Sequence, residues 1–272
     1  MYKIVEKRRL NDEVTLMRVE APFAARRAKP GQFVMLRVDE NGERIPLTIA
    51  GYDREAGTVT VIFQKVGATT RLLDQLNEGE SLQDFAGPLG KPSETEGYKK
   101  AAVIGGGLGV AIAYPQAKAL HEAGVSVDLI VGFRNEGLII LKDELAAACD
   151  DLTIMTDDGS NGNKGFVTQA LERKLKAGEA YDVVIAIGPL MMMKAVSEMT
   201  RPYGIKTIVS LNSVMIDGTG MCGGCRVIVG GETKFACVDG PDFDGHAVDF
   251  DSAVTRGRMY MDQEKLAKET HL

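Results

Sequence analysis

Three of the four cysteines in this 272-residue chain, Cys222, Cys225 and Cys237, fall within one short glycine-rich segment. In a reducing compartment thiols crowded in this way point to metal ligation over disulfides. With Asp217 in the first place, the run Asp217-x4-Cys222-x2-Cys225 followed by Cys237 has the C-x4-C-x2-C spacing of plant-type [2Fe-2S] sites. A carboxylate is a harder donor than a thiolate, admissible on iron and expected to alter potential and lability. The intervening stretch from Arg226-Val-Ile-Val to Phe235 reads as a hairpin turning at Gly230-Gly231, which folds Cys237 back beside Cys225. A thioredoxin-like C-x-x-C would need a helix directly after it, and this run is β-like. A three-Cys zinc site completed by a ligand such as His246, with Asp217 only a turn residue, stays open beside the iron–sulfur reading.

Two glycine loops suggest phosphate binding. Gly105-Gly106-Gly107-Leu108-Gly109 sits between a predicted strand and a predicted helix, where bare backbone N–H groups and a helix N-terminus meet a pyrophosphate. Its spacing departs from G-x-G-x-x-G, and the next strand closes on Gly132-Phe133-Arg134-Asn135 without an acidic residue, Asp128 lying at the other end. A tight turn needed only for helix–strand packing therefore remains open for this loop. Gly188-Pro189, at the end of a later strand, is a second candidate, and two or more of Met191, Met192 and Met193 are expected to pack into the core. Nearer the N-terminus, Arg44 of Arg44-Ile-Pro46-Leu47-Thr48 can fork onto a diphosphate and the Thr48 hydroxyl can reach a flavin ring. An exposed Arg before an edge-strand Pro is the plain alternative. Gly67-Ala-Thr69-Thr70, opening a short helix, offers a further phosphate contact.

The elements that must position these residues change character along the chain. Up to about Gly97 short β runs (Val14 to Val19, Gln32 to Val38, Pro46 to Ala50, Thr58 to Phe63) are punctuated by turns, which implies a barrel or sandwich, and Gly87 to Gly97 reads as a linker. From Lys99 strands at Ala101 to Ile104, Val125 to Val131, Leu152 to Met155, Val183 to Ile187 and Thr207 to Ser210 alternate with helices at Val110 to Ala123, Lys142 to Ala148, Val167 to Lys176 and Met191 to Tyr203, the pattern of a mostly parallel sheet. The division expected is 1–97, 98–209 and 210–272, ending in a polar helical tail over Asp251 to Thr270.

With 44% hydrophobic residues and a formal charge of −6, the chain can bury large cores and has no basic block, which argues against nucleic-acid binding. Charges at Lys3, Glu6, Lys7, Arg8 and Arg9 stand where a signal peptide needs its apolar region, and no apolar stretch is long enough for a membrane span, so the expectation is a cytoplasmic chain without membrane contact. His121, His246 and His271 have no Ser or Cys partner at a recognisable spacing.

Taken in order, Arg44-x-Pro46-Leu47-Thr48, Val66-Gly67-x-x-Thr70, the Gly105 to Gly109 loop, Gly188-Pro189 and the cysteine lobe resemble the ferredoxin–NADP reductase-like superfamily across nearly the whole chain. Within it the chain resembles the dihydroorotate dehydrogenase electron-transfer subunit group. By the Asp in the first ligand place it is similar to the small subunits of NADH-dependent ferredoxin:NADP oxidoreductases, also known as sulfide dehydrogenase subunits. The resemblance implies a β plus α/β fold: an antiparallel Greek-key barrel for FAD, a parallel-sheet domain for NAD(H), and a C-terminal [2Fe-2S] lobe facing a larger iron–sulfur flavoprotein subunit. It implies Arg44, Pro46, Leu47, Thr48 and Thr70 as FAD contacts, Gly106, Gly107, Gly109, Gly188 and Pro189 as nucleotide contacts, and Asp217, Cys222, Cys225 and Cys237 as cluster ligands. Thr69 departs from the family's glycine at that place, and Arg134 leaves NADP(H) open beside NAD(H). Electrons would pass from nicotinamide to flavin, to cluster, to partner, and reach ferredoxin only indirectly, in an electron-bifurcating heterodimer or higher assembly. This is cofactor chemistry, so no catalytic acid or base is assigned. The rivals are a dihydroorotate dehydrogenase electron-transfer subunit, with Cys where Asp217 stands, a free-standing oxidoreductase acting on a small molecule, and a zinc- and nucleotide-binding redox module without enzymatic activity.

Overall fold

The computed structural model describes residues 1–263 and 266. Its first sheet comprises β1 (Tyr2–Arg9), β2 (Val14–Glu20), β3 (Phe33–Arg37), β4 (Arg44–Asp53), β5 (Thr58–Gln64), β6 (Ser81–Leu82) and β7 (Asp84–Leu89), with helices α1 (Pro22–Arg27) and α2 (Ala68–Gln75). The order is β6-β1-β2-β5-β4-β3-β7, and every pairing is antiparallel. Gln83 alone separates the two terminal strands, so the sheet curls until its ends are joined by chain continuity. Inside lie Met17, Val34, Leu36, Val61 and Phe63. The charged stretch Tyr2–Arg9, read from the sequence only as unsuited to export, is strand β1; Ile4 alone of it is buried, which is why alternation did not reveal it. The expected linker also shortens, because Gly87, Pro88 and Leu89 belong to β7. Proline is tolerated there because β7 is a terminal strand of the sheet.

The second sheet contains β8 (Lys100–Gly106), β9 (Ser126–Phe133), β10 (Asp151–Thr156), β11 (Val183–Ile187) and β12 (Lys206–Ser210), with helices α3 (Gly109–Glu122), α4 (Lys142–Ala146), α5 (Val167–Lys176) and α6 (Leu190–Thr200) between them. Runs such as Ala101 to Ile104 and Val183 to Ile187 are buried throughout because helices cover both faces. The order is β10-β9-β8-β11-β12-β15 (Asp242–Asp244), parallel except at the last pair. The final strand belongs to the C-terminal segment, which holds the hairpin β13 (Arg226–Val229) and β14 (Glu232–Phe235), then β15 (Asp242–Asp244) and α7 (Phe250–Gly257). The cysteine lobe is thus stitched to the parallel sheet through β15. Of the helical tail expected over Asp251 to Thr270, α7 covers the start; residues 264, 265 and 267–272, His271 among them, lie outside the described residues. Among the described residues no helix is long and apolar enough to cross a membrane.

Candidate functional site

The cysteine loop is held by its own backbone. Gly218, Gly220 and Gly223 adopt φ of 77°, 87° and 66°, a region closed to most side chains, and carry the chain around the ligand candidates. Asp217 accepts N–H bonds from Thr219 and from Cys222 (2.7 Å), which hold its carboxyl below the usual range, the Thr219 bond most of all. Across the hairpin the Cys225 thiol donates to Cys237 Sγ at 3.2 Å. Two N–H groups point at sulfur, Gly224 to Cys222 and Cys237 to Cys225, each at 3.4 Å. Burial first, then contact with Cys225, pushes the Cys237 thiol up to about 12, so a metal binding there must displace its proton.

As the thiols stand, no three of His, Cys, Asp and Glu among the described residues are grouped to hold a metal ion. Bonds of about 2.3 Å in a tetrahedron put two sulfurs on one metal roughly 3.8 Å apart, so the Cys225–Cys237 pair would have to part by about half an ångström. The donor set and the N–H groups aimed at sulfur fit an iron–sulfur group. His246, the alternative zinc ligand, is instead turned to Thr200, its Nε2 3.1 Å from the hydroxyl oxygen.

Gly218 fixes what this loop touches. A Cβ there would lie 2.6 Å from Met35 Cγ and 3.2 Å from Leu89 Cδ1. Met35 lies on β3, directly opposite Pro46 of β4. The strip Arg44–Thr48 is therefore one strand spacing, about 4.8 Å, from the strand on which the cysteine loop rests. These five residues pair with β3, whereas the β5 ladder engages β4 only from Ile49 onward, leaving their other edge without a strand. Arg44 is exposed, 3.8 Å from Asp84 Oδ2 and free to swing toward a diphosphate. Beyond β5, Thr70 Oγ1 receives the N–H groups of Val66 (3.1 Å) and Gly67 (3.0 Å) at the start of α2. Gly67 has φ −130° and open space where a side chain would stand, so nothing in the fold itself demands glycine there. Thr69 is half-exposed in the same first turn.

The glycine loop and Gly188-Pro189 meet at the carboxyl ends of β8 and β11. Here the strand order reverses, since β8 continues to β9 on one side and has β11 on the other. At Gly109 the contact is backbone on backbone, a Cβ there standing 2.4 Å from the Ile187 carbonyl oxygen, whereas one on Gly106 would meet side chains, 2.5 Å from Met192 Sδ and 3.0 Å from Pro189 Cδ. Gly107, with φ 56° and no neighbour within 4 Å of such a Cβ, faces open space. Arg134 follows β9 at the same end of the sheet and is exposed. Of the methionines, Met193 is buried, Met192 packs against the core and Met191 points out. Asp128 is an anchor at the far end, accepting from Tyr181 Oη (2.6 Å) and Lys174 Nζ (2.9 Å). Cys149 is buried and its thiol is pushed up to about 11 by burial, inert to ligation.

Residues 212–249, the span of all four proposed ligands, match the iron-sulfur cluster binding domain of dihydroorotate dehydrogenase B. A Thermotoga maritima protein, the dihydroorotate dehydrogenase B (NAD(+)) electron transfer subunit homolog, is 44% identical over 100% of this chain and 96% of its own. The chain belongs to this electron-transfer subunit family. Its fold is shared with a chain of the NADH-dependent reduced ferredoxin-NADP oxidoreductase, studied for flavin-based electron bifurcation, at a TM-score of 0.93 and 43% identity over 99% of this chain and 97% of that one. The ferredoxin reductase of carbazole 1,9a-dioxygenase, 20% identical with a TM-score of 0.62 over 75% of this chain and 64% of its own, shares the fold alone. The family is one of oxidoreductase electron-transfer subunits, so the ferredoxin–NADP reductase-like architecture expected from the motifs and an iron–sulfur binding character for the C-terminal segment both hold. Motif reading missed Met35, Leu89 and Gly218, which seat the cysteine loop on the barrel. The unbroken apolar run Phe33-Val-Met-Leu carried the signal, since a strand buried on both faces needs a second partner outside the barrel.

Proposed function

We propose that this chain passes electrons from NAD(H), through FAD bound along Arg44–Thr48 and Gly67–Thr70, to a [2Fe-2S] cluster held by Asp217, Cys222, Cys225 and Cys237, and on to a larger iron–sulfur flavoprotein subunit. The complex would be a cytoplasmic, electron-bifurcating NADH-dependent ferredoxin:NADP oxidoreductase, with residues 1–97, 98–209 and 210–272 as the flavin, nucleotide and cluster units. The observation that carries this reading is the Gly218–Met35 contact, which rests the cysteine loop one strand from the open edge of β4. When bound, the flavin supplies the exchange between two-electron and one-electron transfer. The protein's part is to bind and orient. Arg44 neutralises a diphosphate, Thr70 and the first turn of α2 receive phosphate oxygens, and Gly106, Gly107, Gly109, Gly188 and Pro189 let a dinucleotide approach the backbone. Arg134 would meet a 2′-phosphate, so NADH and NADPH belong in the same assay.

The test is an anaerobic preparation assayed for iron, zinc and flavin, with reduction by NADH followed in the visible spectrum. Iron and FAD together, bleached by NADH, are expected; zinc without flavin overturns the proposal. Full turnover of a small-molecule substrate by the chain alone would instead support a free-standing oxidoreductase. The name of the Thermotoga maritima relative favours a second reading, service to a dihydroorotate dehydrogenase. Dihydroorotate-dependent reduction of the flavin in a complex with the co-purified partner decides between them. Asp217→Cys should change the cluster's potential and spectrum, and unchanged values would remove Asp217 from the ligand set.

A further inference from the structure

The dipeptide between Cys222 and Cys225 is gripped by two guanidinium groups. Arg256 Nη2, on the last turn of α7, donates to the Gly224 carbonyl at 3.1 Å, and Arg226 Nη1 donates to the Gly223 carbonyl at 3.1 Å. The helix that presents Arg256 is itself anchored twice. The Asp249 N–H bonds to Ile228 in the hairpin (2.9 Å), and Asp251 receives Lys194 Nζ of α6 (2.8 Å). Helix α6 is the one that Pro189 opens, so α7 bridges α6 and the cysteine loop. Between α7 and the cysteine loop lies a cavity of about 230 Å³, with Leu190, Cys222, Gly224, Arg226, Arg256 and Tyr260 on its walls. On that side the loop is tied across by Arg256 where packed side chains do not fill the space.

We propose that Arg256 is a positioning residue for the cluster: it fixes the C-x2-C loop against α7 and, as a permanent cation, raises the cluster's potential. The inference rests on the electron-transfer reading above. Four anionic ligands leave the cluster negative, and reduction adds a further negative charge, so a fixed cation favours the reduced state. Arginine cannot shed its proton to relieve this. Arg256 is half-buried and Arg226 exposed, so solvent screens Arg226 more and its effect is smaller.

The experiment uses the full chain as R256Q, R256K and R226Q. Cluster potentials are read by redox titration with electron paramagnetic resonance, and alkylation of exposed Cys222 is timed in iron-free protein. R256Q should titrate at a more negative potential, R256K should recover part of the shift, and R226Q should move less. Loss of the Gly224 bond should speed Cys222 alkylation roughly five-fold in R256Q. An R256Q chain with full iron content, unchanged potential and unchanged alkylation overturns the proposal. A wild-type chain that takes up no iron overturns the reading beneath it instead, and alkylation still decides whether Arg256 holds the loop.

Discussion

The two glycine-rich regions at the heart of the molecule owe their glycines to different causes. At the ends of β8 and β11, Gly109 is required by the fold itself, because the backbone at 187–188 passes too close for any side chain, while Gly106 lies against the side chains of Met192 and Pro189. In the cysteine loop Gly218, Gly220 and Gly223 bend the chain through left-handed conformations, Gly218 also lying too close to Met35 for a side chain, around an exposed thiol, two buried thiols in contact and a carboxylate held by N–H groups. Glycine density by itself is thus weak testimony for a ligand, and an exposed thiol and a carboxylate set on the same loop as two further thiols are stronger testimony.

That contrast can be broken by substitution. The largest effect is expected from Cys225→Ser, which should reduce bound iron to background in a metal assay while flavin stays; retained iron would remove the cysteine loop from the cofactor chemistry. Met35→Ala should cost about 2–5 kcal/mol in urea unfolding, since it empties a buried site and frees Gly218. It should also lower iron retention, which an ordinary core cavity in the barrel would not do. Gly109→Ala should cost about 1–3 kcal/mol through the clash with Ile187. Gly107→Ala should cost only about 1–2 kcal/mol, the ordinary penalty of a left-handed alanine, and show itself chiefly as weaker NADH binding by titration. If both weaken stability equally and neither touches NADH, the loop is a packing turn.

The last prediction concerns how the cysteine lobe is seated. Asp242 on β15 is half-buried with its Oδ1 enclosed, Ser93 Oγ donating to its Oδ2 at 2.5 Å and Gln116 Nε2 at 3.4 Å, while Oδ1 and Gln116 Oε1 have no partner. Burial raises its pKa despite the bonds from Ser93, Ser210 and Gln116, and no charged group contributes. The folded state therefore keeps the proton longer than the unfolded chain does. As pH rises past the ordinary carboxylate range the unfolded state ionises first, and stability falls until the folded carboxyl also ionises. Asp242→Asn, whose amide can donate to Gln116 Oε1, should be more stable than wild type at neutral pH, with the advantage closing as the pH is lowered through that range. Urea midpoints against pH measure this, and a pH-independent difference would show that the Asp242 pKa is the same in the folded and unfolded chain.

Much of this was legible without coordinates, and the misses share a cause. The hairpin at Gly230-Gly231 and the helix over Val167–Lys176 follow from turn chemistry and periodicity over a few neighbouring residues. Strand β1 was hidden because one buried side chain, Ile4, makes no pattern, and the end of β7 because its Gly-Pro reads as a linker until the sheet edge is seen. Arg256 carried no signal in the sequence, since its partner Gly224 lies 32 residues away.

The sequence by itself determined most of the elements, their order and the candidate donors of the cysteine loop, because these depend on residue type and spacing over short stretches of chain. Only the tertiary structure decided which glycines are demanded by packing, that the cysteine loop rests on β3, and that the Asp242 carboxyl is enclosed between three segments. Those outcomes depend on distances between residues far apart in the chain, such as Met35 and Gly218 or Ser93 and Asp242, which meet only when the two sheets and the C-terminal segment pack together.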